Sequence, residues 1–589
     1  MKRTLEILYS QPFPSTRTGS LFNAFSYPTK ISPEAIAIFI ACHTKPGATV
    51  LDPFGGSGTT GIAVKLCDSP TVAMKAYVKD KGLTPVWGPR KAIIYELSPI
   101  GCLAGSVMCS GQSEAFKRAA TQLLKKGEEH CNGAYSTTDP SGRSGTIRHT
   151  IWSDVLICPF CNTESLYGDI AIKMNPVTFY DEVKCPYCGK SFHINDASRK
   201  FERKKDYILN RIVESKVRKP FWVYGVTERT NWSRRATRQD SQLYSKFEGY
   251  LLDQGTAPQL FRWGILYRSG YHKGITHLHQ FYTERNFHVF GQLWNLVDTF
   301  PENLRDSLRV WLLSYNTAHS TQMTRVVAKK NSKDFVITGA QPGVLYISGL
   351  PVEKNLFLGL KRKIKTFYDA FKLIESSRSE VVFRNQSSTN LFEKDASIDY
   401  IFTDPPFGDY IPYSELNQLN ESWLGVLTDS ENEVIINDAQ GKSMVEYQNL
   451  MSNVFSELHR VLRPGAECTL VFHSAKSAIW RSIISAYSSA GLSVIKTSIL
   501  NKKQASFKQT NSTITVKGDP LILLKNSDIS TRKKSVTKSD KIIADTIIKS
   551  FSETPNSKEK SELMFSKYIT SCIESGVKIT LDAQYFFNV

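Results

Sequence analysis

The sequence predicts an α/β protein whose central sheet is assembled from two distant parts of the chain. Residues 48–65 (ATVLDPFGGSGTTGIAVK) have the pattern of a short apolar strand, a glycine-rich turn and the start of a helix. Residues 91–99 (KAIIYELSP) form a second apolar strand that ends at Glu96. The apolar SIDYI that precedes residues 402–410 (FTDPPFGDY) is a third strand of the same kind. A long insertion therefore separates the second strand from the third.

The composition indicates a globular protein of several domains with a polyanionic partner. A chain of 589 residues is too long for one core, and 41% of its residues are hydrophobic. The formal net charge is +19, and a basic surface attracts nucleic acid. The chain has no apolar run of about 20 residues, and its first residues lack the apolar core of a secretion signal. We therefore expect a cytoplasmic protein without a membrane partner.

The turn after the first strand is suited to a nucleotide-like cofactor. Glycines in such a turn let the backbone approach a ligand closely, and the following helix start offers N–H groups to polar ligand atoms. The Gly-Lys-Ser/Thr ending of a phosphate loop is missing, and so is the three-glycine dinucleotide pattern. Glu96 stands where doubly wound folds hold a ribose diol. The alternative is a solvated acid at a strand end.

The Asp-Pro-Pro-Phe cluster carries groups that can hold an exocyclic amine while its nitrogen is methylated. The Asp404 carboxylate can accept one N–H and the Pro405 carbonyl the other, while Pro405 and Pro406 restrict the backbone. Phe407 offers a face on which a base removed from a helix can stack. Alone, such a turn could equally serve to end a strand.

The two motifs together resemble those of S-adenosylmethionine (SAM)-dependent DNA amino-methyltransferases. DPFGGSGTT is similar to the F-x-G-x-G motif of these enzymes, with Phe54, Gly56 and Gly58 at the matching places. DPPF at 404–407 matches their (D/N/S)-P-P-(Y/F/W) signature. Most of residues 20–525 resemble a bacterial family of Zn-ribbon-containing adenine-specific DNA methylases. Further similar segments lie at 414–425, 446–465, 468–476 and 502–510.

This resemblance implies a Rossmann-like class I SAM-dependent methyltransferase sheet, interrupted by a large insertion that carries a four-cysteine zinc ribbon. It implies SAM as cofactor and double-stranded DNA as substrate, with catalysis by residues 404–407. The implied cofactor-binding residues are Thr29, Asp52, Phe54, Gly56, Gly58 and Glu96, with Tyr27 and Lys30 as further candidates. The family also fits host DNA modification linked to restriction or phage defence, with partner proteins from such systems.

The motifs leave the exact substrate open. Asp at the first position of the signature favours the N6 amine of adenine over the N4 amine of cytosine. An RNA guanine-N2 methyltransferase is an alternative, because some tRNA enzymes pair D-P-F-x-G-x-G with D-P-P-Y-G. A catalytically dead fold that serves as a DNA-binding zinc-ribbon module is another, although intact Asp404 and Gly56 argue against it.

Four cysteines predict a structural zinc site. Cys158-x2-Cys161 and Cys185-x2-Cys188 form two knuckles separated by 23 residues. Four thiolates suit the tetrahedral coordination that zinc prefers, and they leave no open position for catalysis. The alternative, two surface turns without a ligand, requires the spacing to be a coincidence.

The chain after the knuckles is the predicted DNA-reading region. Residues 199–239 interleave basic and aromatic side chains, and we interpret them as a basic helix followed by an arginine-rich loop. Arg234, Arg235 and Arg238 are the preferred phosphate contacts, although such a charged face can also be merely solvated. Residues 274–297 are predicted to be a helix whose histidines and arginine are structural.

The predicted domain order is as follows: 1–110, the first half of the methyltransferase core with the SAM loop; 111–150, a connecting helical segment; 151–195, the zinc ribbon; 196–375, an insertion for target recognition; 376–525, the second half of the core with DPPF; 526–589, a flexible linker and a C-terminal helical element.

Overall fold

The computed structural model divides the chain into two compact units. Unit 1 comprises Met1–Ser113, Thr366–Asn417 and Val426–Val589, and unit 2 comprises Glu114–Lys365 and Gln418–Gly425. The structure describes residues 2–10, 13–15, 18–247, 259–329, 331–341, 343–502, 518–526, 539–552, 554 and 557–588. The segment 503–510 of the family resemblance lies outside these residues.

The α-helices, in chain order, are α1 Lys2–Ser10, α2 Ser20–Asn23, α3 Pro33–His43, α4 Thr59–Asp68, α5 Val72–Asp80, α6 Pro99–Ser110, α7 Ser113–His130, α8 Tyr167–Ala171, α9 Arg238–Ser245, α10 Ser269–His272, α11 Glu284–Leu296, α12 Glu302–Tyr315, α13 Leu356–Ile374, α14 Tyr413–Leu424, α15 Met444–Val461, α16 Ser477–Ser489, α17 Asp540–Ser550, α18 Lys558–Ser575 and α19 Ala583–Phe587. None of these described helices combines the length and the apolar character needed to span a bilayer.

The strands are β1 Phe13–Ser15, β2 Thr49–Asp52, β3 Lys91–Tyr95, β4 Ser136–Thr138, β5 Ser144–Ile157, β6 Glu164–Leu166, β7 Ile172–Lys173, β8 Thr178–Phe179, β9 Glu182–Lys184, β10 Ser191–His193, β11 Ser198–Arg199, β12 Phe201–Asp206, β13 Arg211–Lys216, β14 Arg218–Thr227, β15 Thr230–Arg235, β16 Val326–Val327, β17 Val336–Ile337, β18 Val352–Lys354, β19 Glu380–Arg384, β20 Ile398–Thr403, β21 Leu462–Val471, β22 Leu492–Lys502 and β23 Asp519–Asn526.

Unit 1 is built on an eight-stranded sheet in the order β1-β22-β23-β21-β20-β2-β3-β19. In this sheet β23 is antiparallel to both of its neighbours, and the other pairings are parallel. The chain order reverses beside β2, because β3 and β19 follow on one side and β20 and β21 on the other. Open α/β sheets bind ligands at such a switch point, outside the carboxyl ends of the strands.

The central strands of this sheet are almost continuously apolar and buried. β2, β3 and β20 each bury nearly every side chain. Parallel strands that helices cover on both faces require such runs, because neither side of the strand meets water. The predicted α/β class is confirmed.

The C-terminal helices α17 to α19 pack into the core of unit 1. Phe565, Tyr568 and Phe586 are fully buried in the same hydrophobic cluster as Ile522 and Leu524 of β23. The predicted C-terminal helical element therefore covers the sheet. Residues 527–538 of the predicted linker lie outside the described part of the chain.

Unit 2 is organised around β5, which pairs with β14 over most of its length and also with β4, β6, β11 and β18. The predicted helical segment 111–150 is helical only as far as His130, since β4 and β5 follow. Arg285 and Glu353 form a fully buried ion pair of 2.7 Å in this unit. A desolvated charge of this kind has to be paired, and this contact gives Arg285 a structural role.

The prediction of a basic helix after the cysteine knuckles is wrong, because residues 201–216 form the antiparallel hairpin β12–β13. Its turn has strong local chemistry: Asp206 Oδ1 accepts hydrogen bonds from the backbone N–H groups of Ile208 (3.1 Å) and Leu209 (3.0 Å). Asn210 follows with a positive φ of 49°, which asparagine tolerates well. The predicted arginine-rich loop is likewise the hairpin β14–β15 and the start of α9.

The helix predicted over residues 274–297 is shorter than expected. α11 begins at Glu284, after the 3₁₀ turn Leu278–Phe281. Thr283 caps α11 by accepting a hydrogen bond from the backbone N–H of Asn286 (3.2 Å), which is the preferred role of threonine at this position. His277 and His279 therefore precede the helix.

Candidate functional site

A pocket in unit 1 lies at the carboxyl ends of β3, β2 and β20. It brings together the turn after β2, the acid after β3 and the Asp-Pro-Pro turn after β20. The predicted site residues among its lining are Thr29, Asp52, Phe54, Gly56, Glu96, Asp404 and Pro406. Residues from three distant stretches of sequence thus meet around one cavity.

The glycine turn is shaped by close packing. Gly55 N–H donates to the carbonyl of Tyr95 (2.8 Å), which ties the turn to the end of β3. Gly56 and Gly58 have φ angles of +53° and +78°, which favour glycine. A Cβ on Gly58 would lie 2.6 Å from the Cα of Gly105 in α6. Gly58 is therefore needed for packing against α6, whereas Gly56 borders the pocket.

The Asp52 carboxylate accepts hydrogen bonds from the glycine turn and from the first turn of α4. Its Oδ1 accepts a hydrogen bond from the backbone N–H of Phe54 (3.0 Å), and its Oδ2 accepts one from the Thr60 hydroxyl (2.5 Å). Burial raises the pKa of Asp52 to about 6, although both hydrogen bonds act to lower it. The geometry gives this residue a role in positioning the glycine turn.

Glu96 links the turn to the start of α6. Its Oε2 accepts a hydrogen bond from the backbone N–H of Gly56 (2.6 Å), and its Oε1 accepts one from the backbone N–H of Ser98 (2.8 Å). Each oxygen of a carboxylate has two lone pairs and can accept a second hydrogen bond. Glu96 can thus fix the loop and at the same time accept from a pair of hydroxyl groups.

Two tyrosines and a threonine form another wall. The rings of Tyr27 and Tyr413 stack with centroids 5.9 Å apart, and the hydroxyl groups of Thr29 and Tyr413 lie 2.9 Å apart. Thr29 has a φ of 59°, which is strained for a β-branched residue and is found preferentially at functional sites. Burial raises the pKa of Tyr413 well above its usual range, and the charges of Asp404 and Glu96 add to this. The Tyr413 hydroxyl therefore stays protonated.

Lys30 is held by the backbone. Its Nζ donates to the carbonyls of Leu21 (3.0 Å) and Phe25 (3.4 Å). The ammonium thereby organises the segment between α2 and α3, upstream of the glycine turn. Lys30 lines the pocket, but these bonds give it a structural function there.

The Asp-Pro-Pro-Phe turn places its four residues in different surroundings. Asp404 and Pro406 line the pocket, and the Pro406 carbonyl accepts a hydrogen bond from the Tyr447 hydroxyl (2.9 Å). Phe407 is only 8% exposed and packs edge-on against Phe472, with ring centroids 5.5 Å apart. Pro405 and Phe407 are not among the described lining residues of the pocket. The turn thus presents a carboxylate to the cavity and anchors its aromatic ring in the core.

Glu433 is a pocket residue that the sequence analysis did not identify. It is buried, and its carboxylate accepts hydrogen bonds from the Ser414 N–H (3.0 Å), the Ser414 hydroxyl (2.6 Å) and Gln440 (2.8 Å). No motif marks residues 426–434, and only the fold brings them to the pocket. Together with Asp52, Glu96 and Asp404, Glu433 gives the pocket four carboxyl groups against one lysine, Lys30, and this excess favours a ligand with positive charge.

The four predicted cysteine ligands meet in unit 2. Their sulfur atoms all lie within 4.8 Å of one another, with Cys158–Cys188 at 3.9 Å and Cys161–Cys185 at 3.6 Å. Four sulfurs around a zinc ion at about 2.3 Å would be about 3.8 Å apart, so the cluster fits this metal. Hydrogen bonding from the Cys188 backbone lowers the pKa of Cys185, and hydrogen bonding with Thr163 lowers that of Cys161, whereas burial and the neighbouring thiols raise the pKa of Cys188.

The three predicted phosphate contacts differ in their surroundings. Arg234 forms an ion pair of 2.6 Å with Asp240, and these side chains are 13% and 2% exposed. Arg235 is half exposed and pairs with Asp169. Arg238, the first residue of α9, is exposed. Of the three, Arg238 is the one that offers its charge to solvent most directly.

Comparison with known proteins supports a relationship to DNA methylases. The family model "DNA methylase" matches residues 6–72, which include α3, β2 and the glycine turn. No curated protein matches the chain. The matched segment belongs entirely to unit 1 and contains neither the Asp-Pro-Pro turn nor the cysteine cluster.

Several solved methyltransferase structures are similar to part of the chain. A SAM-dependent methyltransferase from Methanosarcina mazei has 11% identity and a TM-score of 0.16, over 27% of this chain and 77% of that one. A geranyl diphosphate methyltransferase has 9% identity and a TM-score of 0.15, over 26% and 59%. A protein from Thermus thermophilus, described provisionally as a DNA modification methylase, has 14% identity and a TM-score of 0.14, over 28% and 60%. The chain thus spans about three fifths of the latter two, and at these TM-scores we draw nothing from the likeness.

Proposed function

We propose that the protein is a SAM-dependent DNA methyltransferase that acts on the N6 amine of adenine. In this proposal the unit 1 sheet is a Rossmann-like class I methyltransferase sheet, and unit 2 is inserted between its halves. The observation that carries the proposal is the pocket in which Gly56, Glu96 and Asp404 meet at the switch point of the sheet. The family match over residues 6–72 supports the same class.

The charge of the pocket and the residues that line it support SAM as its ligand. SAM supplies a methyl group on a positively charged sulfonium, and an acidic pocket favours such a ligand. Glu96 would accept hydrogen bonds from the ribose hydroxyls, and the glycine at position 56 allows close approach of the ligand to the backbone. Thr29, Tyr27 and Phe54 would form the wall, while Asp52 and Gly58 keep the turn in shape.

The Asp-Pro-Pro turn would hold the target amine. The Asp404 carboxylate would accept one N–H of the amine and the Pro405 carbonyl the other, so that the nitrogen lone pair is freed from the ring. The hydrogen bond from Tyr447 to Pro406 and the proline rings keep this turn rigid. Asp404 need not be a strong base, because the amine becomes acidic once it is methylated. Phe407 would support the turn from the core.

The cysteine cluster would hold one structural zinc ion. Four thiolates leave no position for water or substrate, so the metal would stabilise the fold of unit 2. Metal analysis should find about one equivalent of zinc in the purified protein, and Cys158→Ser with Cys161→Ser should lose it. SAM binding should be unchanged in this variant, because no cysteine ligand belongs to unit 1. Wild-type protein that holds no zinc under metal-replete expression would contradict the assignment.

Methyl transfer from radiolabelled SAM to DNA or to tRNA tests the activity itself. Labelled N6-methyladenine in DNA would support the proposal. N4-methylcytosine in DNA would support a DNA amino-methyltransferase but show that its target base is cytosine. N2-methylguanine in tRNA would support the RNA methyltransferase alternative. Incorporation into neither would favour the dead DNA-binding module. Modification mapping of host DNA with and without the protein would test the proposed link to restriction or phage defence.

A further inference from the structure

Unit 2 contains a second large pocket whose chemistry differs from that of the first. Its walls come from the hairpin β12–β13, the start of β14 and the segment around residues 271–287. Six lysine and arginine side chains line it, against three carboxylates. One of these carboxylates, Glu284, already pairs with Lys204 (3.0 Å), and another, Asp206, pairs with His279 (2.7 Å). The pocket therefore has an excess of positive charge.

Three of the lysines form no ion pair with another described residue, namely Lys205, Lys216 and Lys219. Lys205 and Lys219 are exposed, and Lys216 is half-buried with its Nζ donating to the carbonyl of Gly270 (3.0 Å). Burial lowers the pKa of Lys216 to about 8 despite the opposing charge of Asp154. An anion in the pocket would compensate the charge that burial leaves poorly solvated.

Aromatic side chains stand beside these lysines. Tyr207 and Tyr271 are 47% and 42% exposed although they line the pocket, and Lys205 Nζ lies 5.2 Å from the centre of the Tyr207 ring. Exposed rings next to cations are the combination with which proteins bind nucleic-acid strands, because a base stacks on the ring while the phosphate meets the charge.

A buried polar atom at the same pocket lacks a partner among the described residues. The His279 side chain is 10% exposed, its Nε2 lies 2.7 Å from Asp206 Oδ2, and its Nδ1 has no hydrogen-bond partner. Burial acts to raise the pKa of Asp206, but the hydrogen bonds from His279, Leu209 and Gln280 and the charge of His279 together lower it to about 2. Buried polar atoms are rarely left without a partner, and a ligand with hydrogen-bonding groups would supply one.

We infer that this pocket of unit 2 binds a nucleotide, with the phosphate on Lys205, Lys216 and Lys219 and the base against Tyr207 and Tyr271. The inference rests on the proposed function, because a DNA methyltransferase needs a surface that binds nucleic acid. It places part of that surface in the lysine pocket, beside the predicted arginine contacts. The same chemistry is present in a free mononucleotide and in an unstacked nucleotide of a DNA strand.

The test is a binding experiment with the full-length protein and no SAM. A fluorescently labelled single-stranded oligonucleotide is titrated at several salt concentrations, and the slope of log K against log salt is measured. Lys205→Gln, Lys216→Gln and Lys219→Gln together should reduce this slope by up to about 2, since each phosphate contact on a single strand contributes about 0.7. Lys125→Gln, Lys329→Gln and Lys361→Gln, an equal charge change at three exposed lysines outside the pocket, should leave the slope unchanged.

A second pair of variants tests the base. Tyr207→Ala with Tyr271→Ala should weaken binding of the oligonucleotide about 10-fold or more, because stacking on an aromatic ring is lost. The same variant should bind an abasic strand of equal length as well as the wild type does. Competition with deoxyadenosine monophosphate then distinguishes a free nucleotide from a nucleotide of a strand. If the monophosphate displaces the oligonucleotide, a free nucleotide is sufficient for binding; if it does not, the strand is required.

Three results would overturn the inference. In the first, the pocket and the control lysine substitutions reduce the salt slope equally. In the second, the tyrosine variant loses as much affinity for the abasic strand as for the normal strand. In the third, polyglutamate binds as tightly as the oligonucleotide and depends on the same lysines. Because no methyl donor is present, these results are independent of the proposed activity. A protein that binds as predicted but transfers no methyl group would contradict the proposed function and leave the nucleotide pocket intact.

Discussion

The pockets of the two units differ in charge and in how their charged side chains are held. The unit 1 pocket is acidic, and the carboxylates of Asp52, Glu96 and Glu433 are each held by two or more hydrogen bonds from neighbouring groups. The unit 2 pocket is basic, and its charges sit on lysines such as Lys205 and Lys219 with long side chains in solvent. Fixed acceptors suit chemistry at one atom, because they need no reorganisation during reaction. Solvent-exposed lysines suit the uniform charge of a nucleic-acid backbone.

The sharpest test of this contrast is Asp404→Ala in unit 1. Removing one acceptor should lower kcat about 1,000-fold while SAM affinity stays within a few-fold, because in the proposed function the carboxylate acts on the target amine and not on the cofactor. Single-turnover methyl transfer and calorimetric SAM binding measure the two quantities. Asp409→Ala is the matched control, since Asp409 is exposed and pairs with Lys476 (2.6 Å). Normal turnover by the Asp404 variant would remove this residue from the mechanism.

The arginines of unit 2 show that a basic sequence can be structural. Arg234→Ala would leave the buried Asp240 without its charged partner, although Thr137 and Thr237 still donate to it, so we expect local stability around α9 and β15 to fall by about 3 kcal/mol. Hydrogen exchange of the amides in these elements measures this loss. Arg238→Ala should change stability by less than about 0.5 kcal/mol and reduce the salt slope for double-stranded DNA by about 0.9. Equal stability effects of the two substitutions would contradict the assignment.

A smaller effect is expected for Glu96→Gln. The substitution keeps the size of the side chain but replaces one accepting oxygen by an NH₂ group, so one charge-assisted hydrogen bond is lost at the loop or at the ligand. We expect SAM affinity to fall about 10- to 100-fold, since such bonds are worth about 1.5–3 kcal/mol. Glu380→Gln, at the exposed start of β19, is the control. Unchanged affinity would mean that Glu96 only supports the glycine turn.

The strands around the unit 1 pocket could be predicted because their signals are local. Continuous apolar runs that end in Asp52, Glu96 and the Asp-Pro-Pro turn indicate buried strands followed by a ligand loop. β2 and the start of α4 lie within the predicted strand–turn–helix segment 48–65, and β3 ends directly before Glu96, as the pattern of residues 91–99 indicates. These elements need no knowledge of distant contacts.

Other features depend on contacts that the sequence does not display. Glu433 reaches the pocket only through its bonds to Ser414 and Gln440, and Phe407 turns into the core because Phe472 is there. The hairpin β12–β13 differs from the predicted helix, because the many charges indicate a helix but the turn between Asp206 and Asn210 reverses the chain there. Local charge is thus a weak guide to backbone conformation.

The pairing of β19 with β3 has a consequence for synthesis of the protein. Glu380 pairs with Lys91, so β3 lacks this neighbour until the whole of the intervening chain has been made. At ordinary translation rates of about 5–20 residues per second, this delay is roughly 15–60 s. During that time β2 and β3 present apolar, unpaired edges, which are prone to aggregate. The nascent N-terminal part of unit 1 is therefore open to aggregation during this interval, and its sheet can be completed only after the chain of unit 2 has been synthesised.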